Sequence, residues 1–525
     1  MSAIRPEELK PLLTAGGEIA FVDVREAGQF GEGHPFFAVN IPYSKLELRA
    51  GRLIPRKTTP VVLMDEGGEA GVAERARRRL AALGYDNVQV MSGGAPAWER
   101  AGFTLYKGVN LPSKAFGELV EHAAHTPRLT ARQLHEMQER GEPLILLDGR
   151  TPAEYRRMTI PGSRLCPNGE LGYRLPALVR DPATPVVVNC AGRTRSIIGA
   201  QSLINLGIPN PVYALENGTQ GWELAGLTLK RGNTPQPMAS IDADMARESA
   251  VRARELIARF SIPVIGQETL QAWQRDETRS LYLFDVRTQE EFEAGHLPGS
   301  VHAPGGQLVQ ATDLWVATRG ARIVLCDDTC LRAAQTALWL RRMGHDAHVL
   351  EEDVTALTGL EGGPAPEVPV TDTLPPCPAD TVAARLQAGA VLLDLRSSGD
   401  FRSAHVEGAR WAIRPRLQDA GLRGTDDIIL TGGRKTCELA ATDLRDMGCA
   451  ALSWLQGDAE AWQSAGLSIV ASPDEPADAE RIDYLFFVHD RHTGNLEAAR
   501  GYLEWELALV GQLDEQERGV FSPDF

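Results

Sequence analysis

Short, uninterrupted apolar runs such as Val61-Val62-Leu63-Met64 and Val186-Val187-Val188-Asn189 alternate along this chain with longer stretches of helical spacing, among them 75–83 and 334–343. Runs of that length suit strands buried on both faces, and the helical stretches suit crossovers between them. The pattern therefore predicts an α/β fold of mostly parallel sheets with helices on both faces. A connecting helix is predicted over 243–259, and 361–376, opening on Glu361-Gly362-Gly363-Pro364, reads as a linker. Near the C-terminus Leu496, Ala499, Leu503, Leu507 and Val510 recur at helical spacing over 496–513, with Tyr502, Trp505 and Leu509 widening the face. That face is expected to pack on the rest of the chain or on a second subunit.

The pattern is written four times. Asp23-Val24-Arg25 recurs as Asp148-Gly149-Arg150, Asp285-Val286-Arg287 and Asp394-Leu395-Arg396, each after an apolar run. An aromatic and a turn follow each time: Phe30 with Gly33-His34-Pro35, Tyr155 with Ile160-Pro161-Gly162, Phe292 with Gly295-His296-Leu297-Pro298-Gly299, and Phe401 with His405-Val406-Glu407-Gly408. Trp98, Trp222 and Trp462 close three of the copies as packing anchors, whereas the third has Asp353-Val354-Thr355 in that region. Self-similarity of this kind predicts tandem modules over 1–110, 125–232, 262–362 and 375–472, then a C-terminal helical extension over 473–525. The Asp-x-Arg pairs lie just past strand ends, where hydrogen bonds from them would pin the next loop.

One position carries chemistry. Cys190 ends a strand-like run and opens Cys190-Ala191-Gly192-Arg193-Thr194-Arg195-Ser196, directly before a helical stretch. A thiol between a strand end and a helix N-terminus faces converging backbone N–H groups and the positive helix end, which favour the thiolate. Arg193 and Arg195 add charge that core packing does not explain. Cys166, Cys377, Cys437 and Cys449 have no such surroundings and read as inert core thiols.

The loop resembles the active-site loop of the rhodanese family of sulfurtransferases, and the Asp-x-Arg, Gly-His-x-Pro-Gly and Trp-x-x-Ala-Gly elements resemble rhodanese modules over residues 1 to about 470. It departs from many family loops in having Arg193 where they carry Gly. The resemblance implies that Cys190 accepts a sulfane sulfur as a persulfide and passes it on, with no metal or organic cofactor. It implies that Arg193 and Arg195 hold a donor's sulfonate, that the N–H groups from Ala191 through Gly192 and Thr194 to Ser196 stabilise the thiolate, and that Ser196 caps the helix. Arg174, on the neighbouring segment, is a further candidate for donor binding. The expected partners are a small anionic sulfur donor, thiosulfate or a persulfide, and a thiol or cyanide-type acceptor. A related group of phosphatases shares this fold but places five residues between Cys and Arg; here there are four. A sulfur-carrying scaffold without turnover is the rival from another class.

Counting back from the glycine after the loop helix places Asp327 and Thr431 where the second copy has Cys190, and in the first copy the strand Val61-Val62-Leu63-Met64 runs into Asp65, with two extra residues before Gly84. None of these forms a persulfide, and an aspartate there would compete with an anionic donor for the cradle. Cys326 adjoins Asp327 and becomes a second nucleophile only if the register slips. Cys326 and Cys330 lack the second ligand pair of a zinc site, and His489 with His492 lacks a third ligand. Arg434 and Lys435 leave the fourth loop positive, either to hold an anion or as a solvated turn.

A chain of 525 residues exceeds one ordinary core, and its net charge of −16 opposes nucleic acid and anionic membranes as partners. Seven irregularly spaced cysteines make no disulfide framework, and neither a signal-peptide core nor a spanning run is present; a cytoplasmic location is expected, with oligomerisation left open.

Overall fold

The computed structural model describes residues 3–68, 71–357, 359, 374–489 and 495–523; 361–373 of the proposed linker, and His492, lie outside them. Each repeat contributes five parallel strands to a sheet of its own, and the four sets share one strand order. Taking the strands of each sheet in sequence, the spatial order is first, fifth, fourth, second, third. In the second sheet these are Arg128–Leu129, Val212–Leu215, Val186–Asn189, Ile145–Asp148 and Arg164–Leu165. The central strand shows why both faces are covered. Val186 and Val188 join one apolar cluster with Leu147, Ala200 and Leu203, while Val187 joins another with Leu146, Leu215 and Trp222. Alternate side chains thus enter opposite cores, each fully buried residue adding roughly 1.5–3 kcal/mol.

Each Asp-x-Arg is a buried or half-buried ion pair that fastens its own loop. Arg25, Arg150, Arg287 and Arg396 each pair with the aspartate two residues back and donate from Nη2 to Gly33, Met158, Gly295 and Ala404 carbonyls at 2.6–2.7 Å. In the first, third and fourth repeats a histidine stacks on the preceding aromatic, and Nδ1 of His34, His296 and His405 donates to the carbonyl of Phe30, Phe292 and Phe401. Trp98, Trp222 and Trp462 are buried and donate their indole N–H groups to Thr104, Thr228 and Gln456 carbonyls.

The repeats pack first with fourth and second with third. Arg414 of the fourth repeat bridges Glu47 and Asp443 against Tyr43 of the first. Arg332 of the third bridges Glu170 of the second, Glu291 and Asp328. Thr318–Arg319 of the third repeat adds an antiparallel strand to Ile19–Asp23 of the first, which joins the two pairs.

Five helices matter below: α1 (Leu111–Ala124), α2 (Thr194–Asn205), α3 (Leu331–Arg342), α4 (Arg434–Asp446) and α5 (Leu496–Gln512). α5 lies across α1 and the second repeat and buries Ala499, Tyr502, Leu503, Glu506 and Leu509. Leu496 and Leu507, expected on its packed face, are 41% and 52% exposed. The contact is rotated toward Tyr502 and Glu506 because polar partners, and not apolar area alone, orient the helix. Beyond it Glu517 binds Lys10 at 2.6 Å, and Phe521 packs on Phe36 and Phe116.

Candidate active site

Cys190 directly follows the strand Val186–Asn189, and α2 begins a few residues later at Thr194. The loop between them is fastened from both sides: Thr219 N–H donates to the Cys190 carbonyl at 2.8 Å, Gln220 N–H to that of Ala191 at 3.1 Å, and Asn168 Nδ2 to that of Arg195 at 2.8 Å. Gly218 has φ +50°, and a Cβ there would lie 2.2 Å from the Cys190 carbonyl oxygen, so this close approach requires glycine. Ser196 Oγ donates to Cys190 Sγ at 3.1 Å, and the cysteine is buried.

The basic residues are not free. Arg195 donates to both oxygens of Glu154 at 2.8 and 2.6 Å. Burial alone would discharge this pair, but their mutual attraction wins, holding the Arg195 pKa up and the Glu154 carboxyl well below the carboxylate range. Arg193, expected to hold a donor, is instead committed to Glu118 at 2.7 and 2.8 Å and to Glu121, both on α1. Arg174 is likewise redirected: it donates to Glu170 at 2.6 Å and to the Ala239 carbonyl at 2.7 Å, and it approaches Glu291, within the cluster around Arg332 of the third repeat. Thr194 Oγ1 donates to Glu506 of α5 at 2.9 Å. Ala191 and Gly192 are buried, the latter beneath Leu503 and Glu506.

Corresponding loops in the first and third repeats are filled by their own aspartates. Asp65 accepts from Gly67 and Ala73 N–H, both at 2.8 Å; Asp327 accepts from Thr329, Arg332 and Ala333 N–H at 3.1, 2.7 and 3.2 Å. Replacing Asp65 by alanine is expected to cost about 1–3 kcal/mol, seen as a lower urea midpoint, because the buried Ala73 N–H and the partly buried Gly67 N–H lose their acceptor.

Backbone register corrects the count in the fourth repeat. Asn189 pairs with Asp148, Met64 with Asp23, Cys326 with Asp285 and Thr431 with Asp394. The residue after each is Cys190, Asp65, Asp327 and Gly432, so Gly432, and not Thr431, holds the equivalent place. The count slipped because α4 starts sooner after its strand. The same register makes Cys326 a strand residue with Sγ against the Phe284 carbonyl; burial and Asp285 push its thiol pKa well up, which removes it as a second nucleophile.

The Rhodanese-like domain family matches residues 5–101, 130–225 and 267–359, more than half of the chain. The chain belongs to the rhodanese-like family. A thiosulfate sulfurtransferase from Pseudomonas aeruginosa is 39% identical, with 99% of each chain covered and a TM-score of 0.90. The Alr3790 protein from Anabaena sp. is 25% identical over 21% of this chain and 84% of its own, with a TM-score of 0.19. A protein of unknown function and possible tyrosine phosphatase, RPA3614 from Rhodopseudomonas palustris, is 26% identical over 21% and 91%, also with a TM-score of 0.19. No curated protein matches. The fourth sheet lies outside the matched residues but repeats the rhodanese-like strand order of the other three.

Four carboxylates escaped the sequence reading of this rhodanese-like loop: Glu154, Glu118, Glu121 and Glu506. Glu154 had a local signal, since it closes a capping box with Thr151. The third rhodanese-like repeat repeats the device. Thr288 and Glu291 form the same box, and Arg332, spaced from Asp327 as Arg195 is from Cys190, binds that glutamate at 2.7 Å. Glu506 had only its position among apolar neighbours on one helix face.

Between the first and fourth repeats lies a cavity of about 640 Å³, lined in part by Glu26, Ser44, Arg49, Gly433 and Thr436. Glu26 is 4% exposed and accepts from Ser44 N–H and Oγ at 3.0 and 2.8 Å. Burial, only partly offset by these bonds, pushes its carboxyl up to about 7 from an ordinary 4.5. The folded state therefore binds the proton more tightly, and Glu26 reduces stability as pH rises from 4.5 to about 7. Glu26→Gln is expected to match wild type near pH 4 and to exceed it by roughly 3 kcal/mol at pH 8 in urea denaturation.

Proposed function

We propose that this protein is a sulfurtransferase that works through one of its four repeats, moving a sulfane sulfur from thiosulfate or a related donor to a thiophilic acceptor by way of a Cys190 persulfide. The observation that carries this reading is that, among the four aligned loop positions, only Cys190 is a thiol, with Ser196 Oγ at 3.1 Å. Its relative named a thiosulfate sulfurtransferase supports the same chemistry.

In the first half-reaction the Cys190 thiolate bonds to the outer sulfur of the donor, the donor S–S bond breaks, and its electron pair leaves with sulfite. The persulfide then lies in the loop, where backbone N–H groups, the α2 N-terminus and the Arg195 cation offset its charge. In the second half-reaction the acceptor nucleophile bonds to the outer sulfur and the thiolate is restored. Glu154 positions Arg195, and Ser196 steadies the cysteine sulfur. The aspartate-filled loops of the first and third repeats support a scaffolding role for those modules beside the reaction. We place the reaction in a reducing compartment, in keeping with seven free thiols.

The test is intact mass after incubation with thiosulfate, together with sulfite release and thiocyanate formation from cyanide. One added sulfur atom is expected on the protein. No adduct and no turnover with thiosulfate or with any persulfide donor would overturn the reading.

A further inference from the structure

Glu506 is the one carboxylate that α5 brings against the Cys190 loop. It is 2% exposed; Oε1 accepts from Thr194 Oγ1 at 2.9 Å and lies 3.9 Å from Lys114 Nζ. Its second oxygen, Oε2, is buried and has no hydrogen-bond partner, and a Cβ built on Gly192 would lie 3.1 Å from it. Gln220 faces the same glycine: it is also 2% exposed, neither atom of its amide has a partner, and Nε2 lies 3.6 Å from that Cβ position. Buried polar groups left unpaired are costly, and two of them converging on the middle of a reactive loop mark a place where something else is met.

The charge at that place matters for what can arrive. Arg193 is paired with Glu118 and Glu121, and Arg195 with Glu154, so neither is an unopposed positive charge. Lys114 offsets Glu506 only in part, at the edge of ion-pair distance. An anion drawn to the loop N–H groups therefore meets a carboxylate already bonded to Thr194, at a site screened little by water.

We propose that Glu506 is a specificity-determining residue of the sulfur transfer: its carboxylate, held on the Cys190 loop by Thr194, disfavours dianionic sulfur donors and favours donors of lower charge. This rests on the sulfurtransferase reading above. Discrimination comes from repulsion of the wrong charge, a means of selecting partners as effective as added attraction.

Two donors isolate the charge. Thiosulfate is a dianion, and methanethiosulfonate replaces one of its charged oxygens by methyl and is a monoanion. In both, the Cys190 thiolate bonds to the outer sulfur and the S–S bond breaks, with the electron pair leaving as sulfite or methanesulfinate; cyanide then removes the outer sulfur as thiocyanate. The quantity measured is the ratio of kcat/KM for thiosulfate to that for methanethiosulfonate. Glu506→Gln is expected to raise the ratio about tenfold, and Gln220→Glu, which adds a carboxylate to the same niche, to lower it by a similar factor. A loss of folded protein would reduce both donors together and leave the ratio readable in the other variant. Ratios within about twofold of wild type in the folded variants would overturn the proposal. A wild type inactive with every sulfane donor would defeat the sulfurtransferase reading and this proposal with it, whereas an active wild type whose ratio neither substitution moves would defeat this proposal alone.

Discussion

Replacing Cys190 by alanine is expected to eliminate the sulfur adduct and to lower thiosulfate-to-cyanide turnover by about 10³-fold or more. The size of the effect follows from the other loops. Asp65 and Asp327 fill their own cradles through backbone N–H groups, Gly432 has no side chain, and Cys326 packs within its sheet. No second thiol stands at an equivalent place to take over. The fold should survive, because the change removes one sulfur atom from a loop held by backbone bonds from Thr219 and Gln220 and by Asn168. Intact mass, sulfite release and far-ultraviolet circular dichroism together check this. A variant that still gains a sulfur atom would move the reaction to another residue.

The largest effect on stability is expected at Arg332. Its side chain is fully buried; it contacts Glu170 at 3.0 Å, Glu291 at 2.7 Å and Asp328 at 2.8 Å, and it stacks over Tyr173. Burial opposes its charge, but the surrounding carboxylates raise its pKa well above the ordinary value. The same attraction holds the Glu291 carboxyl down to about 2, although its own burial works the other way. Arg332→Ala would remove the cation shared by Glu170, Glu291 and Asp328 and leave Arg174, which reaches Glu170 and Glu291 but not Asp328, to face them, at a cost of about 3–5 kcal/mol. Glu170 belongs to the second repeat and Arg332 to the third, so the loss should also loosen that contact. Urea denaturation is expected to show an earlier first transition, and hydrogen exchange a faster rate along α3 and the helix Leu171–Leu178. An unshifted first transition would show that the cluster contributes no net stability.

Much of the molecule was legible before any coordinate. Asp-x-Arg, the aromatic with its turn and the closing tryptophan are local in sequence, and each does a local job: an ion pair to the next loop, a ring on a histidine, an indole bonded six residues away. Four Asp-x-Arg and aromatic-turn sets, three of them closed by a tryptophan, implied four α/β units, and four sheets share one strand order. The Cys190 loop was legible for the same reason, since strand end, thiol, arginine and helix start are consecutive. Counting failed where spacing varied, at Thr431, because strand pairing and not residue number sets equivalence.

The chemistry of the loop was thus determined by the sequence alone: a thiol at a helix N-terminus with a fixed arginine spacing depends on neighbours within a few residues. What surrounds that loop was decided only by the tertiary structure. Whether Arg193 and Arg174 were free to meet a donor depended on Glu118, Glu121, Glu170 and Glu291, which come from other segments. Glu506 reaches Thr194 across 312 positions of chain. A charge acts through space, and its partner's distance along the chain has no bearing on the strength of the interaction.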